Sequence, residues 1–276
     1  MQTYDCPPTL TDSQVLEFCK NGFLLLPGVV DETTNRRSVA YRDLHPESEP
    51  VHILHEAWFL NNVICNPQAA GAVRSLLGKN FVLPNLMANH RTKTPAPAQA
   101  WHRDGGSQHG CELNYLQLFY YPEECTLELG PTELLPGSHF LFSLSTYMGH
   151  YGNIRGAYKA VAPAGSIFLT IYSIWHRRSA STAQGLRNLL KYNYWRTAPP
   201  QPDWVVQTDF NFRTANYALT GAPTFRQQFH DGYDALPAIT TPNSYRRRNQ
   251  MWWSWRGRII CTPTRPSWRW SMAVMC

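Results

Sequence analysis

The sequence predicts a mainly β fold, a sandwich or barrel with flanking helices ahead of it, and three observations carry that prediction. From about residue 80 onward the chain breaks into short apolar runs bounded by Gly, Pro, Asn or charged residues. One of them, "LNYLQLFYY", alternates so that Leu113, Tyr115, Gln117 and Phe119 share one face and Asn114, Leu116, Leu118 and Tyr120 the other, both largely apolar. Helix signals, by contrast, gather in the first 78 residues. At 276 residues, with 43% hydrophobic and 16% charged side chains, the composition is that of a globular protein with a large core, which excludes a disordered chain.

Taken in order, "LTDSQVLEFCKNG" predicts a helix: Thr11 or Asp12 caps it, Val15, Leu16, Phe18 and Cys19 form the apolar stripe, and Gly22 ends it. "FLLLPGVV" follows as a buried strand. Residues 35 to 78 are compatible with helix, most clearly in "NPQAAGAVRSLLGKN", where Asn66 caps and Pro67 opens the first turn. The β-type runs are then "FVLPNLMANH", "LNYLQLFYYP", "TELLPGSHF", "GAYKAVAP", "SIFLTIYSIWH" and "RNLLKYNYW". Beyond about residue 200 the pattern weakens.

The net charge of +6 is not spread evenly. Residues 245–276 hold seven arginines and five tryptophans and no acidic residue, leaving 18 basic against 19 acidic residues in the remainder. We therefore divide the chain into a folded domain, 1–244, and an Arg/Trp-rich C-terminal tail, 245–276, expected to be poorly ordered. The alternative is a nucleic-acid or anionic-surface binder acting through that tail; with a nearly neutral body, nucleic acid is not the expected partner. Seven cysteines without a CxxC pair read as reduced thiols, and the sequence shows neither a signal peptide nor a membrane-length apolar run. The expectation is a soluble cytoplasmic protein.

The chemistry centres on "QAWHRDGGSQHG", residues 99–110, where an imidazole and a carboxylate stand two positions apart ahead of a glycine pair. On an extended segment, His102 and Asp104 point the same way and Arg103 faces elsewhere. A facial iron site needs two neutral imidazoles and one carboxylate, with open positions opposite. His176, at the end of the β-type run "SIFLTIYSIWH", is the candidate third ligand. Arg187, eleven residues later, is placed to hold the far carboxylate of a dicarboxylate chelated to the metal. An isolated HxD is more often a surface turn in which Asp bonds nearby amides; it is the ordered set that argues for a metal.

That set, "WHRD" with His176, Arg187 and "GPTELLPGSHF" between them, resembles the phytanoyl-CoA dioxygenase family of iron(II)- and 2-oxoglutarate-dependent oxygenases, over roughly residues 10 to 200. The resemblance implies a double-stranded β-helix (jelly roll, cupin-like), with His102, Asp104 and His176 as both catalytic residues and metal ligands, and Fe(II), 2-oxoglutarate and O2 as cofactors. It also implies Arg187 on the 2-oxoglutarate C5 carboxylate and Asn89 as a further polar contact to it. The reaction implied is hydroxylation of an unactivated C–H in a small organic molecule, with 2-oxoglutarate going to succinate and CO2. Asp104 stands where related halogenases carry a small residue, which argues for hydroxylation or another oxidation over halogenation. Relatives often have a hydroxyl two residues after the distal histidine; this chain has Arg178 there and Ser179 next.

Other groupings compete. "HILHE", with His52, His55 and Glu56, fits neither the HExxH nor the HxxEH order of zinc hydrolases. His109 is a polar loop residue close to Asp104, and His139 is structural by the same resemblance. Trp101, Tyr147, Tyr151 and Arg155 are candidates for lining the substrate pocket, although aromatic residues in such folds more often pack than bind. The functional alternative is a non-catalytic metal-binding jelly roll.

Overall fold

Thr11 accepts a hydrogen bond from the backbone of Gln14, and the Gln14 side chain accepts one from the Thr11 N–H, so α1 (Asp12–Asn21) starts with a reciprocal cap. It ends at Gly22, whose φ of +81° suits glycine and where a Cβ would come within 2.5 Å of the His139 ring. This computed structural model of the chain describes residues 1–104, 113–141, 148–199 and 201–210.

The order of elements is β1 (Thr3–Tyr4), α1, β2 (Phe23–Leu26), α2 (Glu32–Leu44), α3 (Ala57–Phe59) running into a π-turn at Leu60–Ile64, and α4 (Pro67–Leu77). Then come β3 (Phe81–Val82), β4 (Met87–Asn89), β5 (Thr92–Thr94), β6 (Tyr115–Tyr121), β7 (Thr132–Leu134) and β8 (Tyr158–Lys159). The last four are β9 (Ser166–Ile171), β10 (His176–Arg178), β11 (Gly185–Arg187) and β12 (Leu190–Trp195). As expected, Asn66 caps α4 through Gln68 and Ala69, with Pro67 in the first turn.

The strands form the mainly β jelly roll. Its major sheet runs β1-β3-β12-β6-β9-β2, with β4 also pairing with β12; the facing side is built from β10-β7-β8 and the pair β11-β5. One face of the major sheet lies under the helices: Tyr120 donates to Asn35 of α2 at 2.7 Å, and Tyr194 to the Ile64 carbonyl at 2.7 Å. The other face looks across the fold, where the Phe119 ring meets His176 edge-on at 5.9 Å between centroids. The alternation expected along β6 is therefore present, with Gln117 and Phe119 turned inward and Leu118 and Tyr120 toward the helices.

Two expected runs are divided. "FVLPNLMANH" splits into β3 and β4 around Pro84, which has no N–H to give a ladder. "SIFLTIYSIWH" is not one strand with His176 at its end: the chain turns at Tyr172 and Ser173, and His176 opens β10 in the other sheet. That turn carries the histidine across the fold.

Residues 201–210 return to the start of the chain. Arg74 donates to Asp5 at 2.7 Å and to both oxygens of Asp203 at 2.9 and 2.7 Å, and the Trp204 indole donates to Asp12 at 2.9 Å. The larger of two hydrophobic clusters among the described residues runs from Leu10 to Trp204, and the boundary expected at 244/245 and the tail both lie outside the described residues. No helix among the described residues is long and apolar enough to cross a membrane. Cys6, Cys19, Cys65 and Cys125 are free thiols, as expected; Cys111, Cys261 and Cys276 lie outside the described residues.

Candidate metal centre

His102 and His176 meet across an isolated antiparallel bridge, each backbone N–H donating to the other's carbonyl at 3.1 and 3.0 Å. Directly opposed residues point to one side, and the two imidazoles stand 4.5 Å apart between centroids. Asp104, two residues beyond His102, comes round to the same side: Oδ1 is 3.7 Å from His102 Nε2 and Oδ2 is 3.5 Å from His176 Nε2. One donor atom from each of the three lies within 4.8 Å of the others, and this is the group among the described residues that has the composition and spacing to hold a metal ion. Arg103 faces away, donating to the Ser138 and Leu141 carbonyls.

The donors are oriented for that task. His102 Nδ1 lies 2.9 Å from the Ala100 carbonyl and His176 Nδ1 lies 3.2 Å from that of Ile174, contacts that place the ring proton on Nδ1 and leave each Nε2 lone pair toward the cluster. Burial, and then the neighbouring His176, lower the pKa of His102, which favours the neutral ring a metal needs. Burial on its own would raise the Asp104 carboxyl; hydrogen bonding and charge from His176, with the Lys191 ammonium, outweigh it and hold the group well below the ordinary carboxylate range. Two side chains fix its orientation: Lys191 Nζ and Gln117 Nε2 donate to the same oxygen, Oδ2, at 2.7 and 2.8 Å. With both Nε2 atoms free of protons, two imidazoles and an ionised carboxylate are the donor set that suits a ferrous ion.

Arg187 ends β11, opposite Thr92 of β5. It is 3% exposed, donates through one terminal nitrogen to the Tyr121 hydroxyl at 3.2 Å and to Thr132 Oγ1 at 2.8 Å, and pairs with no carboxylate among the described residues. Its Nε is buried without a partner. A buried guanidinium that lacks an anion is costly unless one is brought to it, which suits a carboxylate-bearing co-substrate. A row of rings links the histidines to Arg187: Phe119 lies 5.9 Å from His176 and stacks on Phe168 at 4.6 Å, Tyr121 is 5.4 Å from Phe168, and Arg187 lies 5.5 Å from the Tyr121 centroid. The hydroxyl missing at Arg178 is made up from the neighbouring strand: Thr132, cross-strand partner of Arg178, bonds Arg187, whereas Ser179 donates to the Pro131 carbonyl.

Asn89 is not brought to the cluster. It pairs with Leu190 on the helix-covered side, and its Nδ2 donates to the Glu47 carbonyl at 3.2 Å. The next residue, His90, is the one that feels the centre: burial, then the charges of Lys191 and Arg187, push its imidazole down to about 4, and its Nε2 is buried without a partner. Sequence reasoning missed His90, Lys191, Tyr121 and Thr132 as site residues, and placed Gln117 on a face without a role. A lysine and a glutamine breaking strands otherwise rich in apolar residues were the available signal. His52 and His55 sit on a short 3-10 turn apart from the cluster, and His139 contacts the Cys19 carbonyl at 3.0 Å in a structural role. Trp101 is buried and Tyr151 half exposed; His109 and Tyr147 lie outside the described residues.

The family model described as phytanoyl-CoA dioxygenase (PhyH) matches residues 18–189. The chain belongs to the phytanoyl-CoA dioxygenase family. A search of the curated proteins gives no match. Among solved structures, HygX from Streptomyces hygroscopicus with nickel and 2-oxoglutarate bound is similar at 17% identity and a TM-score of 0.57, over 70% of this chain and 89% of that one. HygX with iron bound is similar at 16% identity and 0.56, over 70% and 89%. The 2-oxoglutarate-dependent epimerase SnoN, from nogalamycin biosynthesis, is similar at 16% identity and 0.52, over 66% and 79%. At such identities the likeness is one of fold, and the family match carries the class: phytanoyl-CoA dioxygenase family enzymes use Fe(II), 2-oxoglutarate and O2, and this chain is a non-haem oxygenase of that kind.

Proposed function

We propose that the protein hydroxylates an unactivated C–H bond of a small organic molecule, in the cytoplasm, with His102, Asp104 and His176 holding the iron and Arg187 holding the C5 carboxylate of 2-oxoglutarate. The observation that carries this reading is the pairing of a three-donor cluster within 4.8 Å with a buried arginine that has no carboxylate partner among the described residues. Iron and 2-oxoglutarate, when bound, supply an oxidant strong enough for such a bond, as 2-oxoglutarate is converted to succinate and CO2.

The chain's own residues prepare the chemistry. Nδ1 contacts with the Ala100 and Ile174 carbonyls fix both imidazoles, and Lys191 and Gln117, both donating to Oδ2, hold the Asp104 carboxylate in place beside them. Arg187, steadied by Tyr121 and Thr132, orients the co-substrate by its far end, while Phe119, Phe168 and Tyr121 keep water from its carbon chain. With a carboxylate, not a small side chain, at Asp104 beside the two histidines, the residues present would favour oxidation over halogenation.

Incubation with Fe(II), 2-oxoglutarate and pools of small metabolites tests the reading. It predicts O2-dependent succinate release and one product heavier by one oxygen atom. Turnover whose product has the mass of its substrate would replace hydroxylation with isomerisation, and succinate-free turnover under nitrogen would remove the oxygenase reading itself.

A further inference from the structure

The tripeptide Trp-His-Arg occurs twice in the sequence, at 101–103 and at 175–177, and each copy carries one of the two histidines of the metal cluster. Because His102 and His176 pair in antiparallel fashion, the flanking residues are cross-strand partners in reverse order, Trp101 with Arg177 and Trp175 with Arg103. Each guanidinium lies over the indole of the other copy: Arg177 is 4.7 Å from the Trp101 ring centroid and Arg103 is 4.8 Å from that of Trp175. All four side chains are buried, on the side of the bridge opposite the imidazoles.

We propose that these two crossed Trp–Arg pairs are positioning residues: they lock the register of the histidine bridge, and so the geometry of the iron ligands, and they fasten the 148–157 segment to the back of the metal centre. This rests on the proposed assignment of His102, Asp104 and His176 as iron ligands. Register is sparsely fixed here, since the two histidine segments share a single bridge, with one further backbone bond from the Gln99 N–H to the Arg178 carbonyl, and β10 is three residues long. A slip of one residue would turn an imidazole to the wrong face. With an indole and a guanidinium on either side of each histidine, the same slip would break both stacked pairs and set rings or charges against the wrong partners.

The fastening to 148–157 uses three of the four, Trp101, Trp175 and Arg177. The Trp101 indole donates to the Gly152 carbonyl at 2.8 Å, and Arg177 donates to Asn153 Oδ1 at 2.8 Å and is paired with buried Glu133. Met148, Ile154 and Ala157 pack on the small cluster of Trp101, Leu135 and Trp175. Arg103 in turn donates to the carbonyls of Ser138 and Leu141.

The test is binding of Ni(II) to the metal-free full chain, by calorimetry and by the visible spectrum of the Co(II) form, for wild type, Arg177→Lys, Arg103→Lys, Trp101→Phe and His176→Ala. Arg177→Lys keeps the charge beside Glu133 while losing the planar stack, and should weaken Ni(II) binding about 10-fold or more and alter the Co(II) band; loss of an outer-shell partner has this size. Trp101→Phe, which keeps an apolar ring, reads the same pair should the arginine variant not fold. Its effect and that of Arg177→Lys should be non-additive in the double variant, whereas Trp101→Phe and Arg103→Lys, from different pairs, should multiply. Unchanged affinity and an unchanged Co(II) band in variants whose melting has fallen would overturn the proposal and leave these residues as packing alone. Wild type that takes up no metal, or His176→Ala that binds as tightly as wild type, would instead overturn the assignment of the ligands.

Discussion

The two faces of the major sheet are built on the same strands and obey opposite rules. Toward the helices, Leu116, Leu118, Tyr120, Tyr192 and Tyr194 are almost wholly buried, and the Tyr120 and Tyr194 hydroxyls reach partners on or beside the helices. Toward the interior, the same strands present Gln117, Lys191 and Asn193, and against them stand Asp104, His102 and His176. Each face leaves polar atoms buried without partners among the described residues, the Tyr192 hydroxyl toward the helices and Gln117 Oε1 and Asn193 Oδ1 toward the interior, but only the inner ones stand beside a cluster of metal-ligating side chains. Buried polar groups without partners destabilise a fold; the difference between the faces lies in the charged and amide side chains, Lys191, Gln117 and Asn193, that the inner one sets beside Asp104.

Substitutions on the two faces should therefore separate function from folding. The largest effect is expected from His176→Ala, which removes one of three ligands: succinate release should fall to background while urea unfolding of the metal-free protein changes little. On the helix-covered face, Leu118→Ala should lower stability by about 2–5 kcal/mol, as for other buried large-to-small changes. Its Kd for Ni(II), measured on the folded fraction, should stay as in wild type; a marked rise would mean that the faces are coupled. Arg187→Leu should raise the KM for 2-oxoglutarate about 10- to 100-fold, the equivalent of roughly 1.5–3 kcal/mol for charged hydrogen bonds, without lowering the melting temperature.

A pH titration sharpens the contrast at its narrowest point, the step from Asn89 to His90. With the folded pKa of His90 pushed down to about 4, the unfolded chain takes up a proton from about pH 6.5 downward that the folded chain refuses. Its contribution is whole above pH 6.5 and is lost as pH falls toward 4, by an amount on the order of 3 kcal/mol in the metal-free protein. His90→Gln should flatten that slope in urea titrations at pH 7 and pH 4.5. The smallest effect belongs to Asn89→Ala, which should leave the KM for 2-oxoglutarate unchanged because that side chain bonds Glu47 on the far side of the strand.

That one-residue step also shows what could be read from the sequence. That His102, Asp104 and His176 come together was legible because a donor set for a metal restricts residue type as well as order. The helix caps at Thr11 and Asn66 were legible because they are local. The inward face of β4 was not: a three-residue strand holds too little alternation to show whether Asn89 or its neighbour points to the centre. The turn at Tyr172 and Ser173 was hidden for a related reason, since "SIFLTIYSIWH" is apolar enough throughout to read as a single strand. Lys191 and Gln117 take their roles from contacts over 87 and 13 residues of chain, which no local pattern contains.

The central claim, that side chains at 102, 104, 176 and 187 assemble one iron and 2-oxoglutarate site, is tested most directly by titrating the oxygen-free protein with Fe(II) and 2-oxoglutarate and recording the visible charge-transfer absorption of the chelate. The account predicts a saturable band in wild type, none in His176→Ala, and in Arg187→Leu a band that needs much more 2-oxoglutarate to appear. A folded wild-type protein with no band, or an Arg187→Leu titration that overlays the wild type, would contradict it.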